Sequence, residues 1–512
     1  MKRGRTVRRA GVVAALVAIS LALSGCSSWF LPPTSTSAPT DETVDAQLAP
    51  YYHQVLVWTG CGDNLECTKA KVPLDWNTPS GGSIKLALIR QQATGAHRLG
   101  SLLVDPGGPG ASGVQFIRDG IDYATDKNLQ AQYDIVGFDP RGVNESSAVS
   151  CYKNPKTLDN YIFGISKYAV GSDAWINQAE QESKQFGAEC KKYTGSLLGQ
   201  VGTVDASKDL DVLRAALGDK QLNYLGYSYG TLLGQTYANM YPTRVGRMVL
   251  DGVVDPTLTS SEVNVEQAKG FEHDLRQFLA KCPQLKGCPF GSNVDKSIAQ
   301  IVALLDSLDA SPIRNSDGRE LGSETMSIAI IYPLYNVANW PTLVAVFNSV
   351  FAGSASAAFQ VADGYYGRNS NGTYADNNYE AFTAINCLDY PSDSNVSAMR
   401  AEAAQLKEVA PVFGPATSYG GTSCYQWPYP VTRTADPLPA DGSGPILVVG
   451  TTGDPATPYQ WAVHVASMLQ NGHLVTYHGE GHTAYNKSNS CVNDAVDNYL
   501  LHGTVPTTDP QC

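Results

Sequence analysis

The segment Gly226-Tyr-Ser-Tyr-Gly230 is a G-x-S-x-G motif, and its central residue, Ser228, could act as a nucleophile. The apolar run 222–226 predicts a strand before the serine, and the run 231–240 predicts a helix after it. A serine on such a sharp turn is exposed to a base, while side chains at the glycine positions would clash with neighbouring backbone. The pentapeptide alone also fits a plain turn, but the flanking strand and helix favour a nucleophile.

Two further side chains could activate this serine, because a hydroxyl needs a base to take its proton and that base needs an acid to orient it. Asp454 follows the predicted strand 445–450, and His482 follows the predicted strand 473–478. The chain order Ser228, Asp454, His482 is typical of an α/β-hydrolase triad. These three residues are therefore the predicted nucleophile, acid and base.

Both partners of the serine have an alternative. Asp251 also ends a predicted strand, although the residues after it lead into a long insertion. His478 is a second histidine near the right place, but it lies within a strand. For His482 alone, a solvated loop histidine would be the simpler interpretation, and the agreement of three residues at three strand ends is what argues against it.

Acyl transfer also requires two N–H donors for the oxyanion of the tetrahedral intermediate. The backbone of Tyr229 is the first predicted donor, and Gly107 or Gly108 in the glycine-rich loop 106–113 is the second. The loop taken by itself fits a structural turn equally well. It does not fit a nucleotide site, since the chain has no G-x-G-x-x-G at a first strand and no phosphate-binding Gly-Lys-Ser/Thr. We predict no cofactor and no metal ion.

The elements that position these residues alternate between strands and helices. Runs such as 101–105, 133–138 and 247–251 predict buried strands, and 206–217 predicts a helix between two of them. This alternation predicts an α/β fold with a mostly parallel sheet. The alternation stops over 256–430, where the patterns are helical, and so long a gap predicts an inserted helical cap domain.

The resulting division of the chain has five parts. They are a lipoprotein signal peptide (1–25), a tether (26–48), the first part of an α/β-hydrolase core (49–255), the helical cap (256–430) and the C-terminal part of the core (431–512).

The first residues predict export. A basic start is followed by an apolar run over 11–23, which is too short to span a membrane comfortably. Small residues then precede Cys26, which resembles a bacterial lipobox in which this cysteine is lipidated. An ordinary secretory signal with an incidental cysteine is the alternative, and the Ser-, Thr- and Pro-rich segment 27–45 favours the lipid anchor. We therefore expect a cell-envelope lipoprotein on the outer face of the membrane, with release of the protein from the membrane as the alternative.

Charge and cysteine content agree with an exported enzyme. Five of the 36 basic residues lie in the first nine positions, so the rest of the chain has 31 basic against 48 acidic residues. An acidic body argues against nucleic acid or an anionic membrane surface as partners. Without Cys26, ten cysteines remain, and an even number in an exported chain predicts disulfides. Sequence does not fix their connectivity; the simplest prediction pairs neighbours as 61/67, 151/190, 282/288, 387/424 and 491/512.

Four motifs together resemble one family. The segments 106–110 (Pro-Gly-Gly-Pro-Gly), 139–142 (Asp-Pro-Arg-Gly), 226–231 and 250–252 (Leu-Asp-Gly) are similar to those of the exported actinobacterial tripeptidyl aminopeptidases, α/β-hydrolase serine peptidases related to prolyl aminopeptidases. The resemblance extends to 384–389 and to the segment that contains Asp454 and His482. One departure is Asp105, where the family usually has Asn before the glycine-rich loop.

This resemblance implies hydrolysis of short peptides near free N-termini, beneath a helical cap and through an acyl-enzyme on Ser228. A cap-covered pocket would have to compensate the substrate's ammonium group, and a carboxylate does this best. Asp389, or else Glu380, is the candidate, although either could equally be a structural acid. Asp389 is preferred because it falls in a segment that resembles the family.

Two other functions remain as alternatives. A carboxylesterase or lipase could use the same triad, because one scaffold hosts both chemistries. A surface-tethered binding protein without activity is disfavoured by the intact Ser228, Asp454 and His482. Oligomeric state and side-chain preference do not follow from the sequence.

Overall fold

The computed structural model describes residues 34–392 and 394–512. Twelve strands are present in this part of the chain: β1 (Thr34–Thr36), β2 (Val57–Gly62), β3 (Leu65–Pro73), β4 (Ser83–Gln91), β5 (Gly100–Asp105), β6 (Tyr133–Phe138), β7 (Leu222–Tyr227), β8 (Val245–Asp251), β9 (Ile313–Arg314), β10 (Glu320–Leu321), β11 (Ile446–Gly453) and β12 (Gly472–Glu480).

The same residues contain seventeen α-helices, together with short 3-10 turns. They are α1 (Ala49–Tyr52), α2 (Gly113–Ala124), α3 (Lys127–Gln132), α4 (Pro155–Phe163), α5 (Asp173–Thr194), α6 (Thr203–Leu217), α7 (Tyr229–Met240), α8 (Ser260–Lys281), α9 (Val294–Ala310), α10 (Ser323–Leu334), α11 (Trp340–Phe351), α12 (Ser356–Tyr365), α13 (Asn378–Asp389), α14 (Val396–Val409), α15 (Gly414–Thr417), α16 (Tyr459–Met468) and α17 (Ser490–His502).

Ten of the strands form one sheet in the order β1–β2–β3–β4–β6–β5–β7–β8–β11–β12. The pairings from β6 through β12 are parallel, and the four pairings on the β1 side, from β1–β2 to β4–β6, are antiparallel. Strands β5 and β6 are buried along their whole length, as expected when helices cover both faces of a parallel sheet. The predicted α/β-hydrolase fold with a mostly parallel sheet is confirmed.

The parallel strands bring their carboxyl ends to one edge of the sheet. The register pairs Asp105 with Gly226 and Tyr227 with Asp251. On the next pair of strands, Gly453 lies opposite Glu480. Loops that follow these residues therefore meet at one edge, which is where ligand sites lie in sheets of this type.

The predicted tether is wrong from residue 34 onwards. Strand β1 is an edge strand of the main sheet, and Thr40 N donates to Ala215 O at 2.9 Å. Glu42 accepts two hydrogen bonds from Arg214, whose side chain is fully buried and needs a counter-charge. The Ser-, Thr- and Pro-rich composition suggested a linker, but backbone pairing and the ion pairs of Glu42 with Arg214 and Arg244 hold this segment on the core. The signal peptide, Cys26 and the tether up to residue 33 lie outside the described residues.

The insertion between β8 and β11 contains α8 to α15 and has a hydrophobic cluster of its own, built mainly from α8 to α12. It is not cleanly separated from the core. Helix α13 packs its Ala381, Ala384 and Leu388 into the core cluster, and Phe163 of α4 joins the cluster of the insertion. The predicted boundaries at 256 and 430 therefore describe the chain path better than they describe the packing.

All five sequential disulfides are present: 61/67, 151/190, 282/288, 387/424 and 491/512. Two contacts fix the C-terminus: the 491/512 disulfide, and a hydrogen bond of 2.7 Å that Cys512 N donates to Thr476 O of β12. Across 34–392 and 394–512, no helix combines the length and the apolar character needed to cross a bilayer.

Candidate active site

Ser228 occupies a sharp turn between β7 and α7. Its backbone has φ 55° and ψ −124°, a strained conformation for a residue with a side chain. A Cβ added to Gly226 would lie 2.6 Å from Gly230 O, and one added to Gly230 would lie 2.9 Å from Asp105 Oδ1. Both glycines are thus required by close packing, as the motif predicted. Ser228 N donates to Asp251 O at 2.9 Å, which ties the turn to the neighbouring strand.

His482 and Asp454 form a hydrogen-bonded pair. His482 Nδ1 lies 2.9 Å from both carboxylate oxygens of Asp454, whose side chain is fully buried. The other ring nitrogen, Nε2, is buried and has no hydrogen-bond partner in the described part of the chain. His482 and Ser228 line the same cavity. The unpartnered Nε2 is the ring nitrogen that could accept the Ser228 proton.

The alternatives to these residues have other roles. Asp251 is fully buried, and its carboxylate accepts the N–H groups of Ala484 and Tyr485 at 2.8–3.0 Å. It therefore anchors the loop that follows His482 and makes no hydrogen bond to the imidazole. His478 is exposed and lies 3.0 Å from Gln511 Oε1, outside the cavity.

Two residues that the sequence analysis missed support the pair. Thr457 Oγ1 donates to Asp454 Oδ2 at 3.0 Å and lies 3.3 Å from His482 Nδ1. The turn Asp454-Pro-Ala-Thr457 was a usable signal, because an aspartate often accepts the N–H groups two and three residues later. The backbone carbonyl of Tyr335, from the insertion, accepts the backbone N–H of His482 at 2.9 Å, and the Tyr335 ring packs against the imidazole. No local pattern marks Tyr335.

The predicted oxyanion donors are only partly available. Tyr229 is the first residue of α7, so its N–H has no intrahelical acceptor. Gly107 N donates to Asp105 Oδ1 at 2.8 Å, which corrects its prediction as a donor. Its role is steric, since an added Cβ would lie 2.9 Å from Ser228 Cβ and 3.0 Å from Tyr229 N. Gly108 remains as the second donor, and its φ of 111° is one that side chains disfavour.

Asp105 departs from the asparagine typical of related loops. Its Oδ2 is buried and has no hydrogen-bond partner within the described residues. Burial raises the pKa of Asp105 to about 7, and the nearby charge of Asp139 adds to the effect against the hydrogen bond from Gly107. In its protonated form this carboxyl has the shape and charge of an amide.

The cavity at Ser228 has a volume of about 410 Å³ and is covered by the insertion. Its core side is formed by Pro106, Phe116, Tyr123, Tyr227, Ser228, His482, Thr483 and Lys487. Its outer side is formed by Tyr332, Tyr335, Asn336 and Asn339, from α10 and the turn after it. The predicted cap thus contacts the catalytic edge of the sheet and limits access to the serine. The lining is aromatic and polar.

The predicted ligands for a substrate ammonium group are not in this cavity. Asp389 accepts hydrogen bonds from Thr203 N at 2.9 Å and from Thr203 Oγ1, which also contacts the Tyr229 hydroxyl. Glu380 Oε1 accepts the N–H groups of Cys151 and Tyr152. Neither side chain lines the cavity. The structure gives both acids hydrogen bonds that join α13 to the core, in place of the predicted position beside Ser228.

A further buried acid lies where the insertion meets the core. Asp274 of α8 has no exposed surface, and neither of its oxygens has a hydrogen-bond partner in the described ranges. Burial raises its pKa to about 8, the charges of Glu480 and Asp454 add to this, and Lys281 opposes it. Glu480 Oε2 is likewise buried without a partner. Asp274 is therefore protonated at neutral pH.

Asp274→Asn should remove a pH dependence of stability. Between about pH 4 and pH 8, the folded protein holds a proton on Asp274 that the unfolded chain releases, so stability falls as pH rises. At about 1.4 kcal/mol per pH unit, the free energy of unfolding of the wild type should fall by about 4 kcal/mol relative to that of the variant between pH 5 and pH 8. Urea unfolding at both pH values measures this, with Asp306→Asn on the exposed face of α9 as control. Parallel pH curves for wild type and Asp274→Asn would contradict it.

Comparisons with known proteins agree with this geometry. Residues 410–512 match the family model described as TAP-like protein. The chain is 35% identical over 537 residues to serine protease Hip1 of Mycobacterium tuberculosis, covering 100% of this chain and 99% of that protein. It is 35% identical over 519 residues to Carboxylesterase B of the same organism, covering 99% of each. It is 31% identical over 461 residues to tripeptidyl aminopeptidase of Streptomyces lividans, covering 88% of this chain and 83% of that protein.

Proposed function

Because the chain belongs to the α/β-hydrolase family that contains the serine protease Hip1 and the tripeptidyl aminopeptidases, we propose that it is an exported serine exopeptidase acting near the free N-termini of short peptides. It is an enzyme of the serine-hydrolase class and a peptidase. The observation that carries the proposal is the covered cavity in which Ser228 lies with His482, itself bound to Asp454.

In the proposed reaction, His482 Nε2 takes the Ser228 proton while Oγ attacks the peptide carbonyl carbon. Asp454 holds the imidazole through Nδ1 and stabilises the imidazolium. The N–H groups of Tyr229 and Gly108 bind the oxyanion. The C–N bond then breaks, the proton passes from His482 to the leaving amine, and water hydrolyses the acyl-enzyme by the same route.

The covering helices support short peptides as substrates. A cavity of about 410 Å³ beneath α10 has the size of a small-ligand site and does not admit a folded chain. No carboxylate side chain is among the residues that line it, so the group that would compensate a substrate ammonium lies outside the lining of the cavity.

N-acetylation should lower kcat/KM at least tenfold for a tripeptidyl or tetrapeptidyl substrate that is cleaved well in its free-amine form. The reason is that an exopeptidase of this type recognises the ammonium group, and the acetyl group removes its charge. The measurement is hydrolysis of matched free and acetylated peptides, followed by mass spectrometry. Equal cleavage of both forms would reject the exopeptidase and favour an endopeptidase.

A carboxylesterase is the second candidate, favoured by the similarity to Carboxylesterase B along the whole chain. The same triad serves both reactions, so only substrates separate them. Comparing peptide amides with acyl esters under equal conditions decides between the two: an enzyme that hydrolyses esters and leaves every peptide intact is an esterase.

We also propose that the protein is a lipoprotein of the cell envelope, anchored through Cys26. Five disulfides in the described residues support an oxidising compartment. The mass of the mature N-terminal peptide tests this, because a lipid on Cys26 and cleavage before it would both be visible.

A further inference from the structure

The cavity at Ser228 contains a charged side chain that the reaction described above does not use. Lys487 lies in the loop between β12 and α17, five residues after His482. Its Nζ lies 4.6 Å from the ring centroid of Tyr123 and 4.7 Å from that of Tyr227, and it donates to Thr483 Oγ1. The ammonium group is thus held at the wall of the cavity by two aromatic faces and one hydroxyl.

This ammonium group has no carboxylate partner. Within the described residues, Lys487 forms no ion pair, and none of the side chains that line the cavity is acidic. The charge of Lys487 acts on Asp251, whose pKa it lowers against the larger effect of burial. The oxygens of Asp251 are already used by the N–H groups of Ala484 and Tyr485. An otherwise acidic protein therefore presents a positive charge beside its nucleophile.

The position of Lys487 relates it to the leaving group of the substrate. His482 delivers the proton to the leaving amine, so the leaving part of the peptide must pass the imidazole. The chain from His482 to Lys487 is a short loop, and Thr483, directly after His482, accepts the hydrogen bond from Nζ. Lys487 therefore lines the same cavity as the imidazole that protonates the leaving amine.

We propose that Lys487 determines specificity by binding a carboxylate on the leaving part of the substrate. The group it would bind is the free C-terminal carboxylate of a short peptide, one or two residues beyond the cleaved bond. Ser228 Oγ forms its bond to the carbonyl carbon, the C–N bond breaks, and the departing amino acid or dipeptide keeps its carboxylate at Lys487. This inference rests on the proposed peptidase function and adds that the preferred substrates end close to the bond that is cut.

A purely structural role is the alternative, since Nζ also holds Thr483 and covers two rings. Loss of such a role would slow all substrates together, and it would not change the preference between a free C-terminus and an amidated one. The decisive quantity is therefore the ratio of kcat/KM for a peptide acid and the same peptide as its C-terminal amide.

The experiment compares this ratio in wild type, Lys487→Met, Lys487→Arg and Lys407→Met. Lys407 is an exposed lysine of α14 outside the cavity, so its loss changes the net charge equally. A charge-assisted hydrogen bond predicts a preference of about 10- to 100-fold for the acid in the wild type. Lys487→Met should bring the ratio close to one, mainly through a higher KM for the acid, while Lys487→Arg and Lys407→Met should keep the preference.

Two outcomes overturn the inference: a wild type that cleaves acid and amide equally, or a Lys487→Met variant that keeps the preference while a fluorophosphonate probe still labels Ser228. Failure of the proposed function is distinguishable from both. If wild type cleaves esters but no peptide, the same acid and amide peptides are tested as competitive inhibitors of ester hydrolysis. A lower inhibition constant for the acid, lost in Lys487→Met, then supports the carboxylate site, and equal constants reject it.

Discussion

Ser228→Ala should lower kcat by about 10⁴-fold or more while leaving the fold intact. The hydroxyl is the only group lost, and it lies at the surface of the cavity, so its removal neither empties the core nor breaks a backbone hydrogen bond. The strained turn depends on Gly226, Gly230 and the Ser228 N–H, all of which alanine preserves. Turnover of a peptide substrate measures the fall in kcat, and thermal unfolding shows whether the fold is intact.

A matched control for the serine is Ser311→Ala, at an exposed position after α9. It removes the same hydroxyl far along the chain from the motif and should retain the activity of the wild type. Activity near the wild-type level in Ser228→Ala would show that Ser228 is not the nucleophile and that another residue attacks the substrate.

The second large effect is expected for Asp454→Asn, with a loss in kcat of about 10³- to 10⁴-fold. Both oxygens of Asp454 lie 2.9 Å from His482 Nδ1. An asparagine offers only one oxygen, places an N–H₂ group among donors, and carries no charge to stabilise the imidazolium. We therefore expect the fall in kcat to be the main effect, larger in free energy than the fall in the free energy of unfolding.

Asp251→Asn is the matched comparison, because this acid is equally buried and lies at the end of the neighbouring strand. Its carboxylate accepts backbone N–H groups of Ala484 and Tyr485, so the variant should unfold at lower temperature and keep most of its turnover when folded. The reverse pattern, an inactive but stable Asp251→Asn beside an active Asp454→Asn, would exchange the two assignments.

The sequence by itself determined the elements that depend on local chemistry. Strand, sharp turn and helix around Ser228 follow from an apolar run, two glycines and an amphipathic run, all within twenty residues. The strands before Asp454 and His482 also followed from short apolar runs, which is why these two residues could be located. The sequence did not fix the disulfide connectivity, but the pairs 61/67 and 282/288 were the simplest choice because each closes a small loop.

Only the tertiary structure decided what each buried acid does. Asp389 and Glu380 looked free to bind a substrate amine, but their hydrogen-bond donors lie 186 and 229 residues earlier in the chain. Asp454 and Asp251 both lie at strand ends, but Asp454 accepts hydrogen bonds from the His482 imidazole, whereas Asp251 accepts the backbone N–H groups of Ala484 and Tyr485. A carboxylate takes its function from the donors that surround it, and no local pattern encodes donors brought from distant segments.

The same reason explains the other differences. Residues 34–48 have the composition of a linker, yet an open sheet edge and the buried charge of Arg214 hold them on the core. Gly107 and Gly108 are equivalent in sequence, and the carboxylate of Asp105 decides which N–H stays available. Tyr335 joins the site from the turn after α10, because packing of the cap on the sheet edge, and not spacing along the chain, brings it to Ser228.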